Sequence, residues 1–447
     1  MKKLLYILFV LLSVILASCS SSTTTDNTPS SDPKLASLTF RANDSIPGLA
    51  AASFTIEEPA DTGKIYNIDS LAYGTRIDSV VPLFRFNATP AVARLITSHD
   101  TIDLTGLDTI DFSERPVRLF VLAADLVHTR WYNIYVNVHN VDPDLYTWER
   151  LSGQITPNAY SSQKAFRCNN QIVFLTSDGL DISAFVSSDG VTWQSRPTNL
   201  PRYVSVKKSL LFGDGVLLAD KNMLYHSADG LQWTEQDCSA LDFEFENLLF
   251  CLADSAWAIV REKSNDDYHF ATSADGKQWH YHTETLPAHF PVSEFGTTVF
   301  VSPGLRERAI ILGGYDAVGN MLNTSWNIER YDAGGFRWTE YSDSQPGVLP
   351  VAGAQVVYYN GRLFVFGGIG ADGRLKQYKI KESLDEGLTW HDTDSVKNVL
   401  PPSYTYRYGQ SVFTVDGDIY LIGGQSLTEV YSDVYKGRLG SIDFLKK

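Results

Sequence analysis

Three stretches, SSDGVTW at 187–193, SADGLQW at 227–233 and SADGKQW at 273–279, are near-copies of one box of serine, aspartate, glycine and tryptophan. Two looser copies follow, DAGGFRW at 332–338 and LDEGLTW at 384–390. Self-similarity at a spacing of about 40 to 50 residues marks a solenoid or propeller, because a single such unit cannot bury its own apolar face. In each box the aspartate can accept hydrogen bonds from turn amides, the glycine tolerates positive φ, and the tryptophan supplies a large ring to pack between units.

Around the boxes each unit divides into four strands, as in VKKSLLFG, VLLAD, MLYHSADG and LQWTEQD over 206–237. The second strand recurs as IVFLTS (172), VLLAD (216), WAIVRE (257), AIILGGYD (309), LFVFGGIG (363) and IYLIGGQS (419), which counts six units. Five are matched by Trp193, Trp233, Trp279, Trp338 and Trp390, whereas the sixth has no tryptophan. Trp148 in LYTWERL stands ahead of the first unit. The sequence therefore predicts that residues 145–151 join the last blade as its outer strand, near 419–438, and cover an edge that an open ring would expose.

The segment 34–141 reads differently. Short alternating runs such as LASLTF (35–40), VVPLFRF (80–86), RLFVLAAD (118–125) and TRWYNIYVNVH (129–139) are separated by turn residues, with Tyr132, Ile134, Val136 and Val138 on one face of the last run. An all-β sandwich is expected there. Ahead of it, Lys2 and Lys3 precede an apolar run from Leu4 to Leu16 that is short for a membrane span and ends in Leu16-Ala17-Ser18-Cys19. This resembles a bacterial lipoprotein box. The resemblance implies lipidation of Cys19 after cleavage of a signal at 1–19, a membrane partner reached through the lipid anchor, and a location in the cell envelope at the outer membrane. Residues 20–33, polar and without large apolar side chains, read as a flexible tether.

Of the 447 residues, 52 are acidic and 37 basic, and loss of Lys2 and Lys3 takes the formal charge from -15 to -17. An acidic surface argues against a nucleic-acid partner. Beyond Cys19 only Cys168, Cys238 and Cys251 remain. Their odd number implies no disulfide framework, and Cys168 and Cys251, at similar places in two non-neighbouring units, are expected to be buried small apolar residues.

The boxes resemble the Asp-box of sialidase-like propellers, shortened by one residue. Gly313-Gly314, Gly367-Gly368 and Gly423-Gly424, with Tyr331 before Trp338, resemble kelch repeats. The 34–141 segment, with IDSLAYGTRIDSVVPLF, is similar to Ig-like modules of Bacteroidetes lipoproteins. The whole chain resembles two-domain Bacteroidetes lipoproteins with a kelch-like C-terminal propeller. That likeness implies an all-β protein with an N-terminal Ig-like β-sandwich, acting as spacer, followed by a six-bladed kelch-like β-propeller over 144–447.

Loops between blades share Leu-Pro followed by polar or aromatic residues: LPRYVS (200), LPAHFPVSEFG (286), LPVAG (349) and LPPSYTYRYGQ (400). From these, Arg202, His289, Phe290, Tyr404, Tyr406 and Arg407 are candidates to line an axial funnel, with Tyr160 from the first loop; aromatic faces and guanidinium donors suit a glycan or an envelope protein. Noncatalytic binding is the expected activity. A glycan-active enzyme, sialidase-like or sialic acid mutarotase-like, is the alternative, but no Arg-Ile-Pro motif or Tyr-Glu pair marks it; a structural role in an envelope assembly is another. Neither a catalytic residue nor a cofactor is assigned. Pairing 270 with 279 and 269 with 280 would put Asp267, His269, His280 and His282 on one strand face, a weak metal candidate set. Asp242, Glu244 and Glu246, alternating with Phe243 and Phe245, read as a polar strand face.

Overall fold

The computed structural model describes residues 28–142, 144–302, 304–330, 335–341, 351–375 and 380–440. Cys19 and the leader lie outside the described residues, as do Tyr331 and Asp332 of the fourth box. The chain divides into a unit ending at Asp142 and a unit running Pro143–Ser441. Among the described residues no helix is long and apolar enough to cross a membrane.

In the first unit a six-stranded sheet has the order Phe54–Glu57, Gly63–Asn67, Thr129–Tyr135, Val117–Leu122, Val92–Ile96, Thr101–Asp103, and a second sheet pairs Leu35–Phe40 with Pro82–Phe86. Both sheets feed one core, in which Leu38 and Phe40 meet Ile65, Leu95, Leu119 and Ile134. The alternation of the 129–139 run holds: Tyr132, Ile134 and Val136 are buried. One pair, Gly63–Asn67 with Thr129–Tyr135, is parallel. A Cβ on Gly63 would meet the Tyr132 ring at 2.3 Å, so that position admits only glycine beside so large a neighbour.

Among the described residues the second unit contains six four-stranded antiparallel sheets and a short pair of Val351–Ala352 with Ile369–Gly370. The first runs Ser162–Cys168, Gln171–Ser177, Ile182–Ser187 and Gln194–Arg196; the second opens with Ser209–Phe212, the third with Phe243–Leu252, the fourth with Gly296–Val301 and the fifth with Gln355–Tyr359. The sixth consists of Ser411–Val415, Asp418–Ile422, Val434–Leu439 and, from ahead of the first sheet, Tyr146–Ser152. Leu439 faces Tyr146 and Gly437 faces Trp148 across that pair. The Trp148 ring lies edge-on to Phe366, and its N–H donates to Asn398 Oδ1 at 3.0 Å. Each second strand is the buried centre of its sheet, as Val173, Leu218, Ile259, Ile310, Phe364 and Leu421 illustrate.

The boxes tie neighbouring sheets together. Asp229 Oδ1 accepts from the Leu231 and Gln232 amides at 2.8 and 2.9 Å and from the Ser227 hydroxyl at 3.0 Å. Asp189 and Asp275 repeat the pattern, and Asp385 accepts from the Ser383 hydroxyl and from the Thr389 amide one residue further on. The tight turn aims each box glycine at the preceding sheet: a Cβ on Gly230 would meet Phe166 of the first sheet, on Gly276 Leu217 of the second, and on Gly387 Ile310 of the fourth. Gly190 of the first sheet faces Leu151 and Tyr420 of the sixth. The glycine pairs work at the other end of the strands, where Gly314 and Gly368 donate N–H to Val351 O (2.8 Å) and Arg407 O (3.0 Å) on loops leading to the next sheet. A Cβ on Gly367 would lie 2.3 Å from that Arg407 carbonyl, which accounts for glycine without any phosphate chemistry.

Candidate functional site

The Leu-Pro loops do lead to the innermost strands, but they deliver their side chains unequally. Arg407 is 1% exposed. Its guanidinium pairs with Asp433, donates to Gly423 O at 3.0 Å and Thr405 O at 2.8 Å, and lies over the rings of Tyr404 and Tyr431. Burial is the largest single influence and works against its charge, yet the hydrogen bond to Asp433 and the electrostatic pull of Tyr404, Asp433 and Tyr435 together outweigh it, and the pKa is raised. Its donors are thus engaged within the protein, where they tie the loop to Asp433 and the backbone. Tyr404 donates to Gln410 Oε1 at 2.8 Å, and burial pushes its phenol up to about 12.

Phe290 and Tyr160 are likewise absorbed by packing. Phe290 is 2% exposed and wedged among Phe270, Trp326 and Trp338. Tyr160, also buried, donates to the Tyr431 carbonyl and meets Phe174 edge-on; burial raises its pKa. His289 is exposed with φ 64°, and its carbonyl accepts from Trp326 Nε1 at 3.3 Å. Arg202 is exposed, 3.9 Å from Asp181, and Tyr406 is 40% exposed. Of the seven, Arg202, His289 and Tyr406 are exposed to solvent and Tyr404 is half-buried.

The histidine hairpin pairs in a different register from the expected one: Thr272 faces His280, Ala271 faces Tyr281, and a bulge brings His269 opposite Thr285. His269 is buried against Tyr281, with Nδ1 3.1 Å from Glu284 O, while His282 stacks on Trp257 and meets Thr272 Oγ1 at 3.1 Å. Tyr281 and Trp257 belong to different clusters of the core, so the imidazoles part to two faces. Among the described residues no group of His, Cys, Asp and Glu is placed to hold a metal. The alternation at 243–246 is confirmed, with Phe243 and Phe245 buried edge-to-face and Glu244 and Glu246 half-buried.

A cavity of ≈ 490 Å³ opens where the innermost strands begin. All six sheets contribute: Lys164 from the first, Ser209 and Leu211 from the second, Glu246 and Asn247 from the third, Thr297 and Thr298 from the fourth, Gln355 from the fifth, and Ser411 and Phe413 from the sixth. It is therefore axial. Its polar groups cluster at the strand starts, and its apolar ones, Leu249, Phe250, Val299 and Val412, lie further along. Lys207, ahead of the second sheet, reaches Glu294, ahead of the fourth, at 2.7 Å, a bridge that skips the third sheet and so crosses the mouth. Burial, then Lys207, pushes the Lys164 amine below its ordinary value, and Glu294 opposes them. Residual surface on Lys164 faces this channel, which explains how a half-exposed side chain can be strongly desolvated.

Sequence reasoning missed these residues because it aligned the hydrophobic second strands. The signal was available in the first strands, where Gln163-Lys164, Glu246-Asn247, Thr297-Thr298 and Gln410-Ser411 place polar pairs just before or at the start of apolar runs. A second cleft, of ≈ 420 Å³, lies between residues 153–160 and 429–433. Its polar groups satisfy one another: Ser432 Oγ accepts from the Ile155 and Thr156 amides and donates to Thr156 O, and Asp433 serves Arg407 and Arg150. Three arginines, Arg306, Arg308 and Arg337, do converge on one carboxylate, but it is the protein's own buried Glu329, and none of the three lines the axial cavity.

A family model described as the DUF6242 beta propeller domain matches residues 142–447, and one for the N-terminal domain of the same family matches 19–136. The chain belongs to the DUF6242 family, with a β-propeller as its C-terminal domain. None of the curated proteins matches it by sequence. The solved "Structure of YjhT" is similar to 63% of this chain and 95% of its own, at 11% identity and a TM-score of 0.47.

Proposed function

We propose that this DUF6242-family chain is a cell-envelope lipoprotein, anchored through Cys19, whose propeller binds a glycan noncatalytically in the axial channel. The carrying observation is the ≈ 490 Å³ cavity, polar at the strand starts and apolar beyond, a volume and lining suited to burying a small ligand. Six four-stranded sheets support a six-bladed, kelch-like ring, and the shared core of the N-terminal sheets supports an Ig-like spacer. The described lining contains no arginine, and its two carboxylates, Glu246 and Glu294, are not set as an acid–base pair: Glu294 is held by Lys207. That favours binding over the sialidase-like and mutarotase-like alternatives. An open channel also disfavours a purely structural role.

Obstructing the channel tests the reading. Thr298→Trp places an indole in the cavity while leaving Arg202, His289 and Tyr406 unchanged. Glycan-array binding by the wild-type chain and its loss in Thr298→Trp, with unchanged thermal unfolding, are expected. Binding that survives the obstruction would move the site out of the channel.

A further inference from the structure

The charge of the lining narrows the ligand. The chain carries 52 acidic against 37 basic residues, yet Lys164, Lys207 and Lys208 line the cavity against Glu246 and Glu294. Lys207 is matched by Glu294 at 2.7 Å and Lys208 by Asp220 at 3.5 Å. Lys164 forms no ion pair among the described residues; Lys207 adds a like charge nearby, and Glu294, which opposes it, is itself engaged by Lys207. An ammonium so enclosed is unfavourable until an anion joins it.

Two further groups in the same cavity lack partners. Gln410 is 2% exposed, and its amide nitrogen has no acceptor; the Thr297 hydroxyl is buried and unbonded. Buried polar groups are ordinarily satisfied, so two unpartnered groups on residues that line the cavity point to something that enters it. Glu246, Asn247 and Gln355 offer acceptors and donors suited to hydroxyls, while Leu248 and Phe413 offer apolar surface for the C–H face of a ring.

We propose that the channel selects a carboxylate-bearing sugar of the hexuronate class, its carboxylate held by the Lys164 ammonium and its hydroxyls by Glu246, Asn247 and Gln355. The proposal rests on the channel being the binding site. Lys164 reads the charge, and the neutral groups read the ring. Binding is coupled to protonation, because burial and Lys207 favour the neutral amine in the empty site whereas a bound carboxylate favours the ammonium, with Glu294, Glu246 and Lys208 the other charges facing the channel.

Calorimetry on the full chain with digalacturonate and with its methyl ester, which keeps the shape and removes the charge, provides the test. The acid is expected to bind at least about tenfold tighter than the ester. Lys164→Met should abolish that preference, and Lys164→Arg should retain part of it, which guards against a merely misfolded variant. Affinity for the acid should fall as pH rises through the titration of Lys164, with proton uptake seen as buffer-dependent heat. Equal binding of acid and ester, both lost in Thr298→Trp, would overturn the carboxylate proposal and leave the channel reading standing. Binding of neither, with no channel-dependent glycan on the array, would overturn both.

Discussion

Gly437 lies opposite Trp148 in the antiparallel pair that joins the two ends of the propeller domain, and a Cβ at 437 would sit 2.5 Å from the indole. The indole crosses the backbone at a point where no side chain fits. Gly437→Ala should therefore lower stability by about 1–3 kcal/mol, the usual range for overpacking. In a Trp148→Ala background the same change should be nearly neutral, and such non-additivity is the signature of direct contact. Urea unfolding of the four proteins in the cycle measures it; additive losses would mean that the clash is relieved elsewhere.

Arg407 and Tyr406 are neighbours with different prospects. Removing the Arg407 guanidinium leaves the buried Asp433 with only the longer contact to Arg150, so Arg407→Ala is expected to lose about 3 kcal/mol. Tyr406→Ala, at a 40% exposed position, should fall within about 0.5 kcal/mol of wild type. Thermal unfolding distinguishes them, and an Arg407→Ala protein as stable as Tyr406→Ala would mean that the ion pair is dispensable.

The box aspartates predict how stability responds to acid. The Thr192 and Val191 amides hold the Asp189 carboxyl below its ordinary value, and the Gln278 and Lys277 amides do the same for Asp275. A carboxyl depressed in the folded state binds its proton more readily when unfolded. The stability it contributes is thus complete above the unfolded pKa of about 3.9 and is lost as pH falls through the lower folded values. Asp189→Asn combined with Asp275→Asn should be less stable than wild type at pH 7, and the gap should close towards pH 2. A gap of constant size would show that the two charges make no difference between folded and unfolded chain.

Periodicity made the scaffold legible. The boxes, the six second strands and the unpaired Trp148 all repeat a chemistry that packing needs in every sheet, so the same residue types recur at matched places. The channel repeats no such chemistry: Lys164, Glu246, Thr297, Gln355 and Gln410 occupy comparable strand starts but share neither charge nor size. Position in the sheet relates them, and position becomes visible only once the inner strands are set side by side. The Leu-Pro loops read differently in sequence and in structure. Arg407 and Phe290 look like ligand contacts because arginine and aromatic residues often are, yet a loop passing between sheets has its own backbone carbonyls and gaps to fill, and Arg407 and Phe290 fill them. The histidine set depended on a hairpin register that the bulge beside His269 alters, and alternation carries no information about bulges.

One strand pair imposes an order of events on biosynthesis. The hydrogen bond from Thr147 Oγ1 to Arg438 O spans 291 residues, and Tyr146–Ser152 has no partner in its sheet until Val434–Leu439 has been made. Closing so long a loop is only slightly more unfavourable than closing a shorter one, but it cannot happen early: a ribosome releases the first strand of this domain long before its partner exists. The earliest strand remains an unsatisfied edge while five sheets form behind it, and the domain completes only once Val434–Leu439 has emerged. A message or chain cut short after Ile422 would leave that edge bare, a ready mark of incompleteness for any protease that surveys unpaired strands.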